Sequence, residues 1–199
     1  MNADGWDERY AATALLWSAG PNRTVVDEVE GLSPGAALDL GAGEGRNALW
    51  LAEQGWTVTA VDFSAVGLDK ARAAAERRGV TLETVVADVT AYRPRRAYEL
   101  VLLAYLQLPW EQLAGVLATA AAAVAPGGVF LLVAHDAKNL SEGVGGPPDP
   151  AVLQTPEQVA AALTGLRVER AERIRRPVEV DGETRYAIDT LVRASAPAG

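Results

Sequence analysis

Five short apolar runs punctuate the first two thirds of the chain, and each stops at a glycine or a polar residue. They are 36–40, which ends at Gly41, then 57–61, ending at Asp62, 81–86, closing near Asp88, 99–104, and 129–134, which follows the turn Pro126-Gly127-Gly128. Runs of this length bounded by turn residues predict buried strands. Between them lie segments of helical content, 46–54, 64–78 with Ser64 as N-cap, and 111–124. Strands alternating with helices predict βαβ units, and hence a mostly parallel sheet with helices on both faces, a doubly wound α/β architecture.

The flanks depart from this rhythm. Residues 22–30 predict a helix, preceded by an aromatic-rich leader carrying Trp6, Tyr10 and Trp17, so residues 1–31 are expected to form a helical appendage or lid. Residues 136–150 are rich in glycine and proline and too long for a tight connection, the kind of loop that often carries function. Thr155-Pro156-Glu157-Gln158 then supplies an N-cap, a proline in the first helical turn and a capping-box glutamine, opening a helix to about 163. Residues 167–175 and 185–194 alternate around Asp181-Gly182, a strong hairpin signal. The whole of 1–199 is expected to be one domain, with 36–135 as its cofactor-binding core and 136–199 as acceptor loop, helix and hairpin.

The first strand runs into Asp39-Leu40-Gly41-Ala42-Gly43-Glu44-Gly45-Arg46-Asn47, a glycine-rich turn that opens a helix. A dinucleotide fingerprint would need glycine where Arg46 stands, and a phosphate loop would need Gly-Lys-Ser/Thr, so diphosphate ligands are disfavoured. Asp39 points the same way, because a carboxylate repels phosphate and attracts an ammonium group. Asp62 ends the second strand, where an acid can accept from both hydroxyls of a ribose. Asp88 follows the third and can accept from an exocyclic amine of adenine. Each acid has an ordinary reading too, Asp62 as a helix-dipole partner and Asp88 as a turn residue. Three acids at successive strand ends describe a nucleoside with a cationic tail, which S-adenosylmethionine fits.

Composition narrows the partners. Lys and Arg total 18 against 26 Asp and Glu, a net charge of −8, which disfavours nucleic acid unless the few bases are gathered on one face. With no Cys and a single His, disulfides, thiolate zinc sites and cysteine nucleophiles are excluded and no metal is expected. No apolar run reaches the ~18 residues of a membrane span, and the N-terminus lacks a signal-peptide pattern, so a cytoplasmic protein without membrane contact is expected, as monomer or homodimer. His135, at the end of the fifth strand, is the candidate general base, since imidazole ordinarily titrates near ~6.5, with Asp136 to orient it. Tyr105, after the fourth strand, could contact the acceptor or cap the core. Trp6 and Tyr10 could lay their rings over a sulfonium.

Taken together, these motifs resemble those of the class I S-adenosylmethionine-dependent methyltransferases over about residues 36–134. DLGAGEGRN from Asp39 looks like their first motif, AVDFS from Ala60 their second, ADV from Ala87 their adenine-side acid, and APGG from Ala125 the turn before their fifth strand. The Gly45-Arg46-Asn47-Ala48 run, Gly55-Trp56 and the small size are similar to the tellurite-resistance type and related bacterial small-molecule enzymes. The resemblance implies a Rossmann-like, seven-stranded sheet with the last strand antiparallel. It implies cofactor contacts from Asp39, Gly41, Ala42, Gly43, Gly45, Arg46 and Asn47, from Asp62, Phe63 and Ser64, from Asp88 and Val89, and from Ala104. Enzymes that methylate amides or base amines carry Asn-Pro-Pro-Tyr after the fourth strand, whereas this chain has Ala104-Tyr105-Leu106-Gln107. The implied reaction is therefore methyl transfer to an oxygen, nitrogen or chalcogen atom of a small molecule. A catalytically inactive cofactor-binding module and, more remotely, a nicotinamide dehydrogenase are the alternatives.

Overall fold

The apolar runs become the strands of one sheet, in a computed structural model that describes residues 3–16 and 20–199. The strands are β1 (Ala36–Leu40), β2 (Thr57–Asp62), β3 (Leu82–Val86), β4 (Tyr98–Ala104), β5 (Val124–His135), β6 (Arg167–Val180) and β7 (Glu183–Ser195). The helices are α1 (Ala3–Ala11), α2 (Arg23–Val29), α3 (Arg46–Glu53), α4 (Ala65–Arg78), α5 (Trp110–Ala122), the short α6 (Asn139–Glu142) and α7 (Pro156–Ala162). Sheet order is β3-β2-β1-β4-β5-β7-β6. All neighbours from β3 to β5 pair in parallel, while β7 runs antiparallel to both β5 and β6. The expected architecture of six parallel strands and one antiparallel strand is therefore present.

Both faces of the sheet are covered, and the period of two along a strand assigns each residue to its face. On β4, Val101 and Leu103 join Phe130, Leu132, Leu113, Leu117 and Val159 under α5 and α7. Leu100 and Leu102 point the other way, onto Val25 of α2, Leu51 of α3 and Leu68 of α4. Local signals set the helix starts: Asn22 caps α2, Ser64 caps α4 and Thr155 caps α7, each accepting from a backbone N–H of the first turn.

Chain order reverses direction between β1 and β4, which opens a crevice at the carboxyl ends of the strands, where such sheets bind ligands. The hairpin extends this edge. β7 pairs with β5 only over 189–195, so residues 183–188 and their β6 partners overhang the end of β5. Asp181 and Gly182 both have positive φ, 53° and 80°, the geometry a two-residue hairpin turn requires.

Phe130 is fully buried at the centre of the sheet. Phe130→Ala should lower the unfolding free energy by about 3–5 kcal/mol with little change in the urea m-value, read by chemical denaturation.

Candidate active site

A cleft of about 1280 Å³ lies along the carboxyl edge of the sheet. Its floor is the glycine loop. Gly43 has φ +56°, and a Cβ there would come within 2.5 Å of the Tyr10 hydroxyl; Gly45 has φ +76°, and its Cβ would meet that of Ala71 at 2.7 Å. Side chains at either position would carry backbone strain as well as collide. Asp62 is bound into the loop, one carboxylate oxygen accepting from Gly43 N–H and the other from Ser64 N–H, both at 2.8 Å. Burial pushes the Asp62 carboxyl up, partly offset by these bonds. Asp39 lies beneath the loop, 1% exposed, and among the described residues its Oδ2 has no hydrogen-bond partner. Burial, reinforced by the neighbouring Asp62 charge, raises its pKa to about 7 against the pull of Arg46 and Ala48 N–H. A buried carboxyl with one unpartnered oxygen, beside a loop without a phosphate-binding lysine, suits a cationic ligand group.

The leader closes one side. Trp6 and Tyr10 stack at 5.5 Å, Arg9 lies 4.7 Å over the Trp6 ring, and all three line the cleft. Asp7 accepts from Ser64 Oγ and from Val66 N–H. Glu44 of the glycine loop accepts from Leu16 N–H and pairs with Lys70 Nζ at 2.9 Å, while Lys70 also donates to the carbonyls of Tyr10 and Thr13. The leader is thus fastened to the loop it covers. Trp17 falls outside the described residues.

The opposite end of the cleft is a polar cluster around Tyr105, which has φ 58°. Its hydroxyl donates to Asp189 Oδ2 at 2.7 Å and accepts from Arg176 Nε at 3.1 Å and Asn22 Nδ2 at 3.2 Å. Burial, with Asp189 beside it, pushes the Tyr105 phenol above its usual range, so it is a neutral donor and not a base. His135 packs against Tyr105 with ring centroids 4.8 Å apart. Its Nδ1 lies 3.3 Å from Asp189 Oδ1, close enough to interact but without the alignment of a hydrogen bond. Burial raises the Asp189 carboxyl, and the close approach of His135 together with the hydrogen bonds from Arg176 and Tyr105 outweighs it, holding the group below its ordinary value.

The acid expected to orient His135 is corrected by this geometry. Asp136 is the next residue along the chain, so its side chain leaves from the opposite face. It is fully buried there, accepting from Lys138 N–H, Arg173 Nε and Thr190 Oγ1. Asp189 takes the position because β7 pairs it directly with His135 across the ladder.

Of the residues expected at a cofactor, Trp6, Tyr10, Gly41, Ala42, Gly43, Arg46, Asn47, Asp62, Phe63 and Ala104 line the cleft, together with Tyr105 and His135. Asp39, Gly45 and Ser64 support it from below, Ser64 as the α4 cap. Asp88 and Val89 do not border it. β3 stops at Val86, leaving Asp88 exposed in the following turn, where Oδ1 accepts from the backbone and hydroxyl of Thr90. Arg176 and Asp189 went unrecognised in the sequence because their role depends on pairing across the hairpin. Glu44 and Lys70 likewise depend on the fold of the leader.

Residues 37–128 match the methyltransferase domain family. That stretch, a little under half of the chain, is what the chain shares with methyltransferases. The chain is similar to TehB of Haemophilus influenzae, a probable S-adenosyl-L-methionine-dependent methyltransferase, at 26% identity over 66% of this chain and 44% of the relative. The crystal structure of TehB superposes with TM-score 0.75 at 19% identity, covering 98% of this chain and 66% of that one. A 2-heptyl-1-hydroxyquinolin-4(1H)-one methyltransferase of Mycobacteroides abscessus is 31% identical over 66% of this chain and 60% of its own. A tRNA 5-carboxymethoxyuridine methyltransferase of Escherichia coli is 34% identical over 52% of this chain and 41% of its own. The chain thus spans about half the length of the curated relatives it matches.

Asp39 gives the fold a pH signature. Its folded pKa of about 7 stands above the ordinary carboxylate value, so the folded state binds more protons than the unfolded state in that interval. Its contribution is fully present below the unfolded pKa and is lost as pH rises through the folded one. Asp39→Asn should therefore gain stability over wild type as pH rises from about 4 to about 7, read as the difference in denaturation midpoint across that range. A constant difference would show that burial does not shift Asp39. Asp62, raised in the same direction, leaves the variant a residual slope.

Proposed function

We propose that this chain transfers a methyl group from S-adenosylmethionine to a nucleophilic oxygen, nitrogen or chalcogen atom of a small molecule. One observation carries the reading: two buried acids, Asp39 and Asp62, flank a glycine loop with no phosphate-binding lysine, on the same cleft as a His–Asp pair. When bound, S-adenosylmethionine supplies a methyl group on positively charged sulfur, which departs as a neutral thioether. Asp39 would offset the ammonium of its amino-acid tail, Asp62 would accept from ribose hydroxyls, and Trp6 and Tyr10 would keep water from the sulfonium.

The acceptor's lone pair forms the new bond to carbon as the carbon–sulfur bond breaks, its electron pair staying on sulfur. A neutral hydroxyl or thiol must also lose a proton. With Nδ1 turned toward Asp189, His135 has Nε2 left to receive it. A small acceptor suits a cleft walled by the leader, by loop 144–149 and by the hairpin overhang. One relative is named for tRNA, and because the cleft is lined by more cations than acids the net charge of −8 does not decide against a polynucleotide; the enclosure of the cleft carries the preference.

Release of S-adenosylhomocysteine over a panel of phenols, N-hydroxy compounds, thiols, amines and transfer RNA tests the reading. Turnover on at least one small molecule is expected; turnover on transfer RNA alone would reject the small-molecule class, and cofactor binding without any turnover would favour an inactive module. Asp62→Ala should weaken S-adenosylhomocysteine binding by about ten- to a hundredfold by calorimetry, since charged hydrogen bonds contribute ~1.5–3 kcal/mol. His135→Ala should reduce turnover of a neutral hydroxyl acceptor by on the order of 10²–10⁴, with cofactor affinity kept. A loss of only a few-fold would leave His135 as an acceptor contact.

A further inference from the structure

The guanidinium of Arg176 is only partly used by the protein. Its Nε donates to Asp189 at 2.7 Å and to the Tyr105 hydroxyl at 3.1 Å, which fixes the group at the edge of the polar cluster. Among the described residues, Nη1 and Nη2 have no hydrogen-bond partner, and the side chain, 30% exposed, lines the cleft. A guanidinium anchored through Nε presents its remaining N–H groups as a planar fork, the geometry that receives a carboxylate or similar oxyanion in bidentate fashion.

The surroundings have the charge such a ligand needs. Seven Lys and Arg against three Asp and Glu line the cleft, in a chain whose net charge is −8. Near Tyr105 the guanidinium carbons of Arg46 and Arg176 stand 5.7 and 5.6 Å from the ring centroid, and a single ionised acid, Asp189, is shared by Arg176, Tyr105 and His135. Burial lowers the pKa of Arg46, and the Arg176 charge adds to this, as expected where two cations share one pocket. The cleft lining also includes the apolar Leu108, Val144, Val152 and Val178, beside the polar Gln107 and Asp149.

We infer that Arg176 determines acceptor specificity, its free guanidinium fork receiving an anionic group on an otherwise apolar methyl acceptor. This deepens the methyltransferase reading and rests on it. Asp189 holds Arg176 in place without saturating it, so the residue is preorganised for an anion it does not have to reorganise to bind. A neutral acceptor of the same shape would leave the fork desolvated and unpaired, which is the basis of discrimination.

The test uses the full chain saturated with S-adenosylhomocysteine and two probes of one shape, 2-naphthoate and 2-naphthamide, titrated by calorimetry. The acid should bind at least about tenfold more tightly than the amide, a preference that weakens in high salt. Arg176→Gln should abolish most of that preference while S-adenosylhomocysteine affinity changes little. Arg176→Lys, which keeps the charge beside Asp189 and therefore guards against misfolding, should retain only part of it. Equal affinity for the two probes, or no measurable binding of the acid, overturns the inference while leaving methyl transfer intact. If Arg176→Gln instead weakens S-adenosylhomocysteine and spares the acid's preference, the fork serves the cofactor's own carboxylate and the inference again fails. Failure of wild type to bind S-adenosylhomocysteine at all removes the underlying reading, and the inference with it.

Discussion

The insertion of β7, antiparallel, between β5 and β6 is the constraint on which the polar end of the cleft depends. A parallel strand at that position would need a crossover connection and would bring its own carboxyl end to the edge. Running the other way, β7 enters from the cleft side, so its early residues, not its last ones, stand beside the end of β5. The pairing of Asp189 with His135 follows directly. Because the hairpin is longer than its contact with β5, β6 returns Arg176 to the same edge. Three chemically distinct groups from three strands thereby meet at Tyr105, and none is adjacent to another in sequence.

Much of the scaffold was legible because its signals are local. The run 36–40 matches β1 residue for residue, Ser64 and Thr155 cap the helices they were expected to cap, and Asp181-Gly182 makes the expected turn. The glycine loop and Asp62 were readable for the same reason: strand, turn and helix lie within one stretch. What escaped depended on distance. Even so, the hairpin turn carried usable information, since pairing Val180 with Glu183 places Ile174 opposite Asp189 and Arg176 two residues further along the same face. The missing element was the register of β7 against β5, which tertiary packing alone decides. Assigning Asp136 to His135 failed because sequence neighbours on a strand face apart. The Asp88 expectation depended on where β3 ends, the least local part of that reading.

Electrostatically, the two ends of the cleft are built on opposite principles. At the glycine loop, acids are buried with too few donors: Asp39 retains an orphan oxygen and holds its proton into the neutral range. At Tyr105 one acid is surrounded by donors and stays ionised. A site organised in this way is incomplete in the absence of charge from outside, a cation at one end and an anion at the other. The leader spans the acidic end through Lys70 and Glu44, so the loop and its cover are mechanically joined.

The hairpin overhang also constrains how the chain can diverge. Side chains on a strand alternate faces, so adding or removing one residue between Ile174, which pairs with Asp189, and Arg176 would turn Arg176 out of the cleft and send a neighbour in its place. Insertions of two residues, or a longer excursion confined to the turn at Asp181-Gly182, keep the phase. Homologous hairpins that preserve this site should therefore vary in reach by even steps, and an odd step should mark a lineage in which the polar cluster has been rebuilt or lost.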